Sequence, residues 1–326
     1  MSALKSCLRY AFHYSGGLRW VRHRNRRGAR ILVYHRFGSR RDVRVLLEQQ
    51  CRHLRECYNV LSLTELGERL RSDSELPPNS LVVTVDDGYR DFFEVAYPVF
   101  ARYQIPVTVF LVTDFLDGKS WLWVDRLQYA LAYATVDSFE ITADRVARRF
   151  VLQTREQREQ ARAYLQQVAK QVPNLERLQI LDELPRLLRV TVPTAPPDDF
   201  APLSWQQVRD MAQNGVDFGA HTRSHPIVSR VGDAGQLDYE IRGSKIRIEQ
   251  ELQREVAHFC YPNGQPQDIS PEAICAVRSA GFRTAVTAQA GLNYAGQDPF
   301  QLRRLGAEPD LPRLYFREQA AAFRHT

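Results

Sequence analysis

Three short polar clusters hold the residue types that hydrolytic chemistry needs. Thr84-Val85-Asp86-Asp87-Gly88-Tyr89 puts two adjacent carboxylates directly after the apolar run LVVTV. Neighbouring side chains at a strand end diverge, so one carboxylate can hold a metal ion while the other faces an attacking water. Asp-Gly is also a common turn, which leaves this cluster a purely structural alternative. His221-Thr222-Arg223-Ser224-His225 follows the strand-like VDFGA and is closed by Pro226. Histidines four apart meet on one side of a helical turn, and neutral imidazole is the commonest side-chain ligand for metal ions. With Asp87 they compose a two-histidine, one-carboxylate set that leaves coordination positions open for water and substrate. By themselves they read equally as a helix-start or surface pair. Cys260-Tyr261-Pro262-Asn263-Gly264 again follows an apolar run. Its Pro and Gly tighten a loop and expose backbone N–H groups, one of which can serve as an oxyanion donor; an ordinary strand-end turn is the alternative.

Bringing these clusters together requires strands that end at a common mouth. From Arg30 onward, β-rich runs alternate with helix-length segments: ILVYH at 31–35, NVLSL at 59–63, LVVTV at 81–85, VTVFLV at 107–112, VDFGAH at 216–221, VAHFCY at 256–261 and TAVTA at 284–288. This rhythm predicts βα units and a parallel sheet or barrel, whose active sites gather at the strand C-terminal ends. Residues 117–201 break the rhythm. Their Arg/Gln/Leu-rich stretch, including RVARRFVLQTREQREQARAYLQQVAKQV, reads as a helical insertion, a lid or docking surface, with VPTAPPDDFAP as its stiff exit. The chain thus divides into a basic extension at 1–29 and a domain at 30–326 interrupted by the insertion.

Charge narrows the function class. Lys plus Arg exceed Asp plus Glu by 44 to 38, a net +6, yet Lys5, Arg9, Arg19, Arg22, Arg24, Arg26, Arg27 and Arg30 fall in the first thirty residues with no acid among them. Without those eight charges the rest stands at 6 minus 8, or −2, which argues against a nucleic-acid-binding body. Leu4, Leu8 and Phe12 lie at helical spacing in that leader, but no unbroken apolar run reads as a secretory signal or membrane span. The expectation is a cytoplasmic protein whose leader either rests on the anionic inner face of the membrane or packs against the domain. Five cysteines without a CxxC pair fit a reducing compartment.

In order and spacing the three clusters resemble the polysaccharide deacetylases, the NodB-homology domain of carbohydrate esterase family four. The family's T-F-D-D-G looks like Thr84 to Gly88, its H-[ST]-x-x-H like His221 to His225, and its R-x-P-x-G, imperfectly, like Cys260 to Gly264. The resemblance covers roughly residues 30–116 and 202–306. It implies a distorted (β/α) barrel with fewer than eight strands. It implies a divalent metal ion, zinc first and Co2+, Ni2+ or Mn2+ as alternatives, held by Asp87, His221 and His225. By the same resemblance Asp86 is the general base, a metal-bound water the nucleophile and the Asn263 N–H an oxyanion donor. The reaction implied is removal of N-acetyl groups from amino sugars of a polysaccharide or lipid-linked saccharide.

The chain departs from the family's pattern in two places. Cys260 stands where the third motif often has an Arg that orients the catalytic Asp, and a thiol cannot replace a guanidinium fork. Either Arg303 or Arg304 in PFQLRRLG approaches Asp86, or that carboxylate works in a less polarised setting. The late L-x-H motif is missing before the tail, where His325 sits, so the general acid has no motif residue. His35 ends the first strand run and would face the same mouth, as a catalytic residue or as a structural histidine. Tyr89, Tyr261, Trp123 and Arg304 are candidate substrate contacts, with core packing as the alternative for the aromatics. Two other functions stay open: a deformylase or amidohydrolase on a small amide, and an inactive carbohydrate-binding homologue.

Overall fold

Runs of Val, Ile and Leu bounded by turn residues form strands that are buried on both faces, as parallel strands covered by helices must be. The computed structural model describes residues 3–38, 42–72 and 74–323. The leader forms α1 (Ala3–Tyr14) and α2 (Gly17–Arg24), followed by β1 (Arg30–Tyr34), α3 (Val43–Cys57), β2 (Asn59–Val60), α4 (Leu63–Arg71) and β3 (Ser80–Val85). Then come α5 (Tyr97–Arg102), β4 (Val107–Leu111) and α6 (Thr113–Leu116). The insertion holds α7 (Trp123–Ala132), β5 (Ser138–Ala143), β6 (Val146–Val151), α8 (Arg155–Gln171) and α9 (Asn174–Leu188). The chain closes with α10 (Trp205–Gln213), β7 (Asp217–Ala220), α11 (Ala234–Leu252), β8 (His258–Cys260), α12 (Pro271–Ser279), β9 (Thr284–Ala290), β10 (Leu302–Gly306) and α13 (Arg313–Ala320).

The strands run in the order β1-β10-β9-β8-β7-β4-β3, and parallel pairing of β1 with β3 closes the ring. This is a seven-stranded barrel, with β2 added beside the start of β3. It matches the expected (β/α) barrel of fewer than eight strands. β10 was not among the expected strands; its register on β1 pairs Leu32 with Leu305 and completes the closure. NVLSL yields only two strand residues, because Ser62 leaves the strand to cap α4, its Oγ accepting from the Glu65 N–H at 3.0 Å.

One expectation for the insertion needs correcting: the VARRFV portion of the presumed helical stretch is strand β6. Phe139, Ile141 and Ala143 alternate inward along β5 and require a partner strand, and Asp144 and Arg145 take φ of 50° and 61°, the left-handed pair of a tight hairpin. The helix begins only after Thr154, whose side chain accepts from the Gln157 N–H while Gln157 reaches back to the Thr154 N–H. Leu127, Phe139, Ile141, Leu165 and Leu184 give the insertion an apolar core of its own.

The leader packs on α13. Arg9 pairs with Glu318 at 2.8 Å, the Phe12 ring packs at a tilt against Phe323 and Asn25 Nδ2 donates to the Ala321 carbonyl at 3.0 Å. No helix of the described residues is long and apolar enough to cross a membrane. Cys51, Cys57, Cys260 and Cys275 are free thiols.

Candidate active site

The β3 strand delivers the paired carboxylates. Asp86 still hydrogen-bonds like a strand residue, its N–H donating to the Tyr34 carbonyl at 2.9 Å. Asp87 and Gly88 then turn left-handed, at φ 76° and 83°, which sends the two carboxylates apart. A left-handed Asp costs on the order of 1 kcal/mol, a strain that the surrounding barrel must hold. A side chain at position 88 would also press on Leu111, 3.0 Å from the missing Cβ. Asp-Asp-Gly is therefore a turn, and both of its carboxylates line one cavity.

Arg304 from β10 takes the place of the guanidinium that position 260 lacks. Its Nη1 donates to Asp86 Oδ1 and its Nη2 to Asp86 Oδ2, both at 2.7 Å, and its Nε donates to the Thr287 carbonyl at 2.7 Å. Cys260 Sγ lies 3.2 Å from Nη2, so the small thiol leaves room for an arginine arriving from another strand. Burial by itself would push the Asp86 carboxyl up; the arginine fork overrides it and holds Asp86 well below the usual range. Arg304 lines the cavity, but its donors point at Asp86, Thr287 and Cys260, which makes it a positioning residue before a substrate contact. Arg303, one residue away on the strand, is exposed.

The histidines converge by a route other than the expected helical turn. Residues 221–226 are a loop in which Thr222 and His225 take φ of 64° and 59°, and Thr222 Oγ1 accepts from the His225 N–H at 3.1 Å. Buried Glu240 on α11 fixes this loop by accepting from the N–H groups of Arg223 and Ser224, each at 2.9 Å, and from Ser224 Oγ at 2.6 Å. His221 Nδ1 lies 2.7 Å from the Cys260 carbonyl, which turns its Nε2 toward the carboxylates. The Nε2 atoms of His221 and His225 each stand 3.6 Å from Asp87 Oδ1.

These residues fit a divalent metal ion. Burial pushes His221 down to about 4 and His225 well below its ordinary value, so both imidazoles are neutral near pH 7 and keep a free lone pair. Burial, and after it the charge of Asp86, pushes Asp87 up, and its only ion-pair partners among the described residues are those two neutral rings. A cation is what this carboxylate lacks, and one carboxylate with two imidazoles, donor atoms within 4.8 Å of one another, is a zinc-type set. Asp86, His221 and Cys260 also cluster, but Asp86 is already paired and burial holds the Cys260 thiol protonated.

The other candidates divide. A cavity of ≈ 330 Å³ is lined by Asp86, Asp87, His221, His225, His35, Trp123, Tyr261, Asn263 and Arg304. His35 Nε2 lies 3.8 Å from Asp86 Oδ2, with its side chain half exposed at the mouth; burial lowers its pKa, and the charge of Asp86 works against that. Asn263 takes φ 59°, its side chain is held by Asp268, and its N–H makes no hydrogen bond within the described residues. Gly264 is required beside it, since a Cβ there would meet Ala288 N at 2.8 Å. Tyr89 is not in this lining: its hydroxyl donates to Asp125 at 2.6 Å and Arg36 covers its ring, so it supports the wall instead of facing the cavity. His325 lies outside the described residues. Sequence reading missed Gln128 on α7 and Arg162, Gln166 and Lys170 on α8, which also line the cavity. The four-residue spacing of the last three was the available signal.

A family model described as polysaccharide deacetylase matches residues 73–285. The chain belongs to the polysaccharide deacetylase family. The deacetylase match begins after β1 and ends within β9, so both His35 and Arg304 lie outside it. The Bacillus subtilis protein YxkH, named as a polysaccharide deacetylase, is 26% identical over 113 residues, 33% of this chain and 40% of that protein. The match thus spans about two fifths of that curated relative. Among solved structures, the Streptococcus pyogenes deacetylase PplD in complex with acetate is 18% identical with a TM-score of 0.59, covering 90% of this chain and 99% of that one. IcaB from Ammonifex degensii is 20% identical with a TM-score of 0.58, covering 92% and 97%. This deacetylase-family chain shares their fold.

Proposed function

We propose that this protein hydrolyses N-acetyl groups of amino sugars in a polysaccharide or lipid-linked saccharide. The observation that carries the reading is one buried carboxylate, Asp86, kept ionised by Arg304 beside a second, Asp87, that shares a metal-type donor set with His221 and His225. Asp87, His221 and His225 would hold the ion, zinc first by the chemistry of the set. When bound, it polarises the acetamide carbonyl and makes a neighbouring water more acidic. Asp86 accepts the proton of the water that attacks the carbonyl carbon, and Arg304 keeps its carboxylate aimed during the transfer. The Asn263 N–H donates to the oxygen on which charge develops. His35, its Nε2 3.8 Å from Asp86 Oδ2, relays the proton that Asp86 has taken from the water to the departing nitrogen, the C–N bond breaks, and acetate and a free amine leave. Peripheral contact of the basic leader with an anionic membrane, in a cytoplasmic protein, is part of the same proposal; exposed Trp20 and Tyr14 among its arginines support it.

The test is acetate release from N-acetylglucosamine oligomers by the metal-loaded protein. Asp86→Asn is expected to lower kcat by about 10²- to 10⁴-fold while metal binding persists, and His221→Ala to lose metal and activity together. Metal binding with no acetate from any oligomer would replace this reading with the small-amide or binding-module one.

A further inference from the structure

The insertion does more than border the cavity. Ala161, Leu165, Val168 and Ala169 pack α8 into the insertion core, which fixes its rotation. The adjoining face carries Arg162, Gln166 and Lys170 at i, i+4 and i+8, and all three line the cavity that holds Asp86 and Asp87. They span about 12 Å along the helix.

This wall is rich in donors and poor in acceptors. Arg162 Nε is held by Glu159 and its Nη1 by Gln166 Oε1, which leaves Nη2 and the Gln166 amide donors. Lys170 has no carboxylate within ion-pair distance among the described residues. The acid that acts on it from farther off, Asp268, already accepts from Asn263 Nδ2 and the Gln265 N–H. Burial lowers the Lys170 pKa, and the charge of Asp268 offsets it only in part. Trp123, 5% exposed in the same lining, has a buried indole N–H without an acceptor. Among the other groups of the cavity Asp86 is matched by Arg304 and Asp125 accepts from the Tyr89 hydroxyl, while this wall presents a cluster of unmatched donors in Arg162 Nη2, the Gln166 amide and the Lys170 ammonium.

We propose that Arg162, Gln166, Lys170 and the Trp123 N–H form a subsite for an anionic group, a carboxylate or a phosphate ester, carried by the saccharide next to its acetamido sugar. The placement rests on the deacetylase reading, which seats the acetamide at Asp86 and Asp87; the anion preference is measurable without it. The substrate class is thereby narrowed from neutral amino-sugar polymers to acidic ones.

Binding is measured by calorimetry on the chelator-treated full chain. The probes are oligosaccharides alternating N-acetylglucosamine with glucuronic acid, the same oligomers after carboxyl reduction, and N-acetylglucosamine oligomers bearing a phosphate monoester. The acidic oligomers are expected to bind about tenfold tighter than the reduced one, since one charge-assisted hydrogen bond suffices for such a factor. The gap should narrow with salt. Lys170→Met should erase it and Lys170→Arg should restore it, with an unchanged melting temperature showing that both fold. Whether carboxylate or phosphate binds tighter names the source of the anion. Equal binding of acidic and reduced oligomers, or a preference that survives Arg162→Met/Lys170→Met, overturns the subsite. Acetate release from the metal-loaded protein is scored separately: turnover without anion preference rejects the subsite alone, and anion preference without turnover rejects the deacetylase reading alone.

Discussion

Asp86 and Asp87 share a turn yet stand in opposite electrostatic settings, one against a guanidinium fork and the other against two neutral imidazoles. A buried pair of this kind is costly to break from one side, because the remaining charge loses its partner in a largely desolvated setting. Arg304→Ala is therefore expected to lower unfolding free energy in urea by about 3 kcal/mol and to abolish activity. The double variant Asp86→Asn/Arg304→Met should regain most of that stability without regaining activity. If the double variant is as unstable as the single one, packing of the arginine stem, and not its charge, is what the pair contributes. Cys260 was legible as a departure from the motif; that its thiol makes room for Arg304 was not, because the two residues are 44 apart and meet only across the closed sheet.

At the scale of elements, the site is made by loops that leave strands in left-handed conformations, at Asp87, Thr222, His225 and Asn263. The four-residue spacing of His221 and His225 suggests a helical turn, whereas Pro226 and the Thr222 side chain close a loop instead. Such a loop needs an external brace, and Glu240 supplies it with three accepted hydrogen bonds from α11. Glu240→Ala should loosen both histidines together and, at the proposed metal site, weaken zinc affinity by about 10- to 100-fold, the range for lost outer-shell support, as read by competition with a chromophoric chelator. Unchanged affinity would mean that the barrel end holds the histidines unaided. The hairpin β5–β6 was hidden for a related reason: Arg-rich β6 is mostly exposed and has little apolar periodicity, so only its pairing with β5 makes it a strand.

For the whole molecule, closure of seven strands brings β3, β7, β8 and β10 to one mouth, while the leader docks at the other end, where the Asn79 N–H donates to the Arg26 carbonyl just before β3. Deleting residues 1–28 removes the Arg9–Glu318 pair, the Phe12–Phe323 ring contact and the Asn25 hydrogen bond. Together these are worth about 2 kcal/mol, so the melting temperature should fall by roughly 4 °C with kcat unchanged. The same pair of proteins separates the leader's two roles: flotation on phosphatidylglycerol vesicles that is lost with the deletion supports membrane contact, and equal flotation ends that idea. The sequence by itself determined a parallel βα architecture and singled out the two carboxylates and the two histidines, because apolar strand runs and strand-end polar clusters are local patterns that survive in one dimension; the choice of a barrel over an open sheet came from the resemblance of the three motifs. Tertiary structure alone decided that Arg304 serves Asp86, that Tyr89 turns to Asp125 and away from the cavity, and that α8 of the insertion faces the site. Each of those depends on which strand neighbours which after closure and on how a helix is rotated by its own core, and neither is written in the spacing of any single segment.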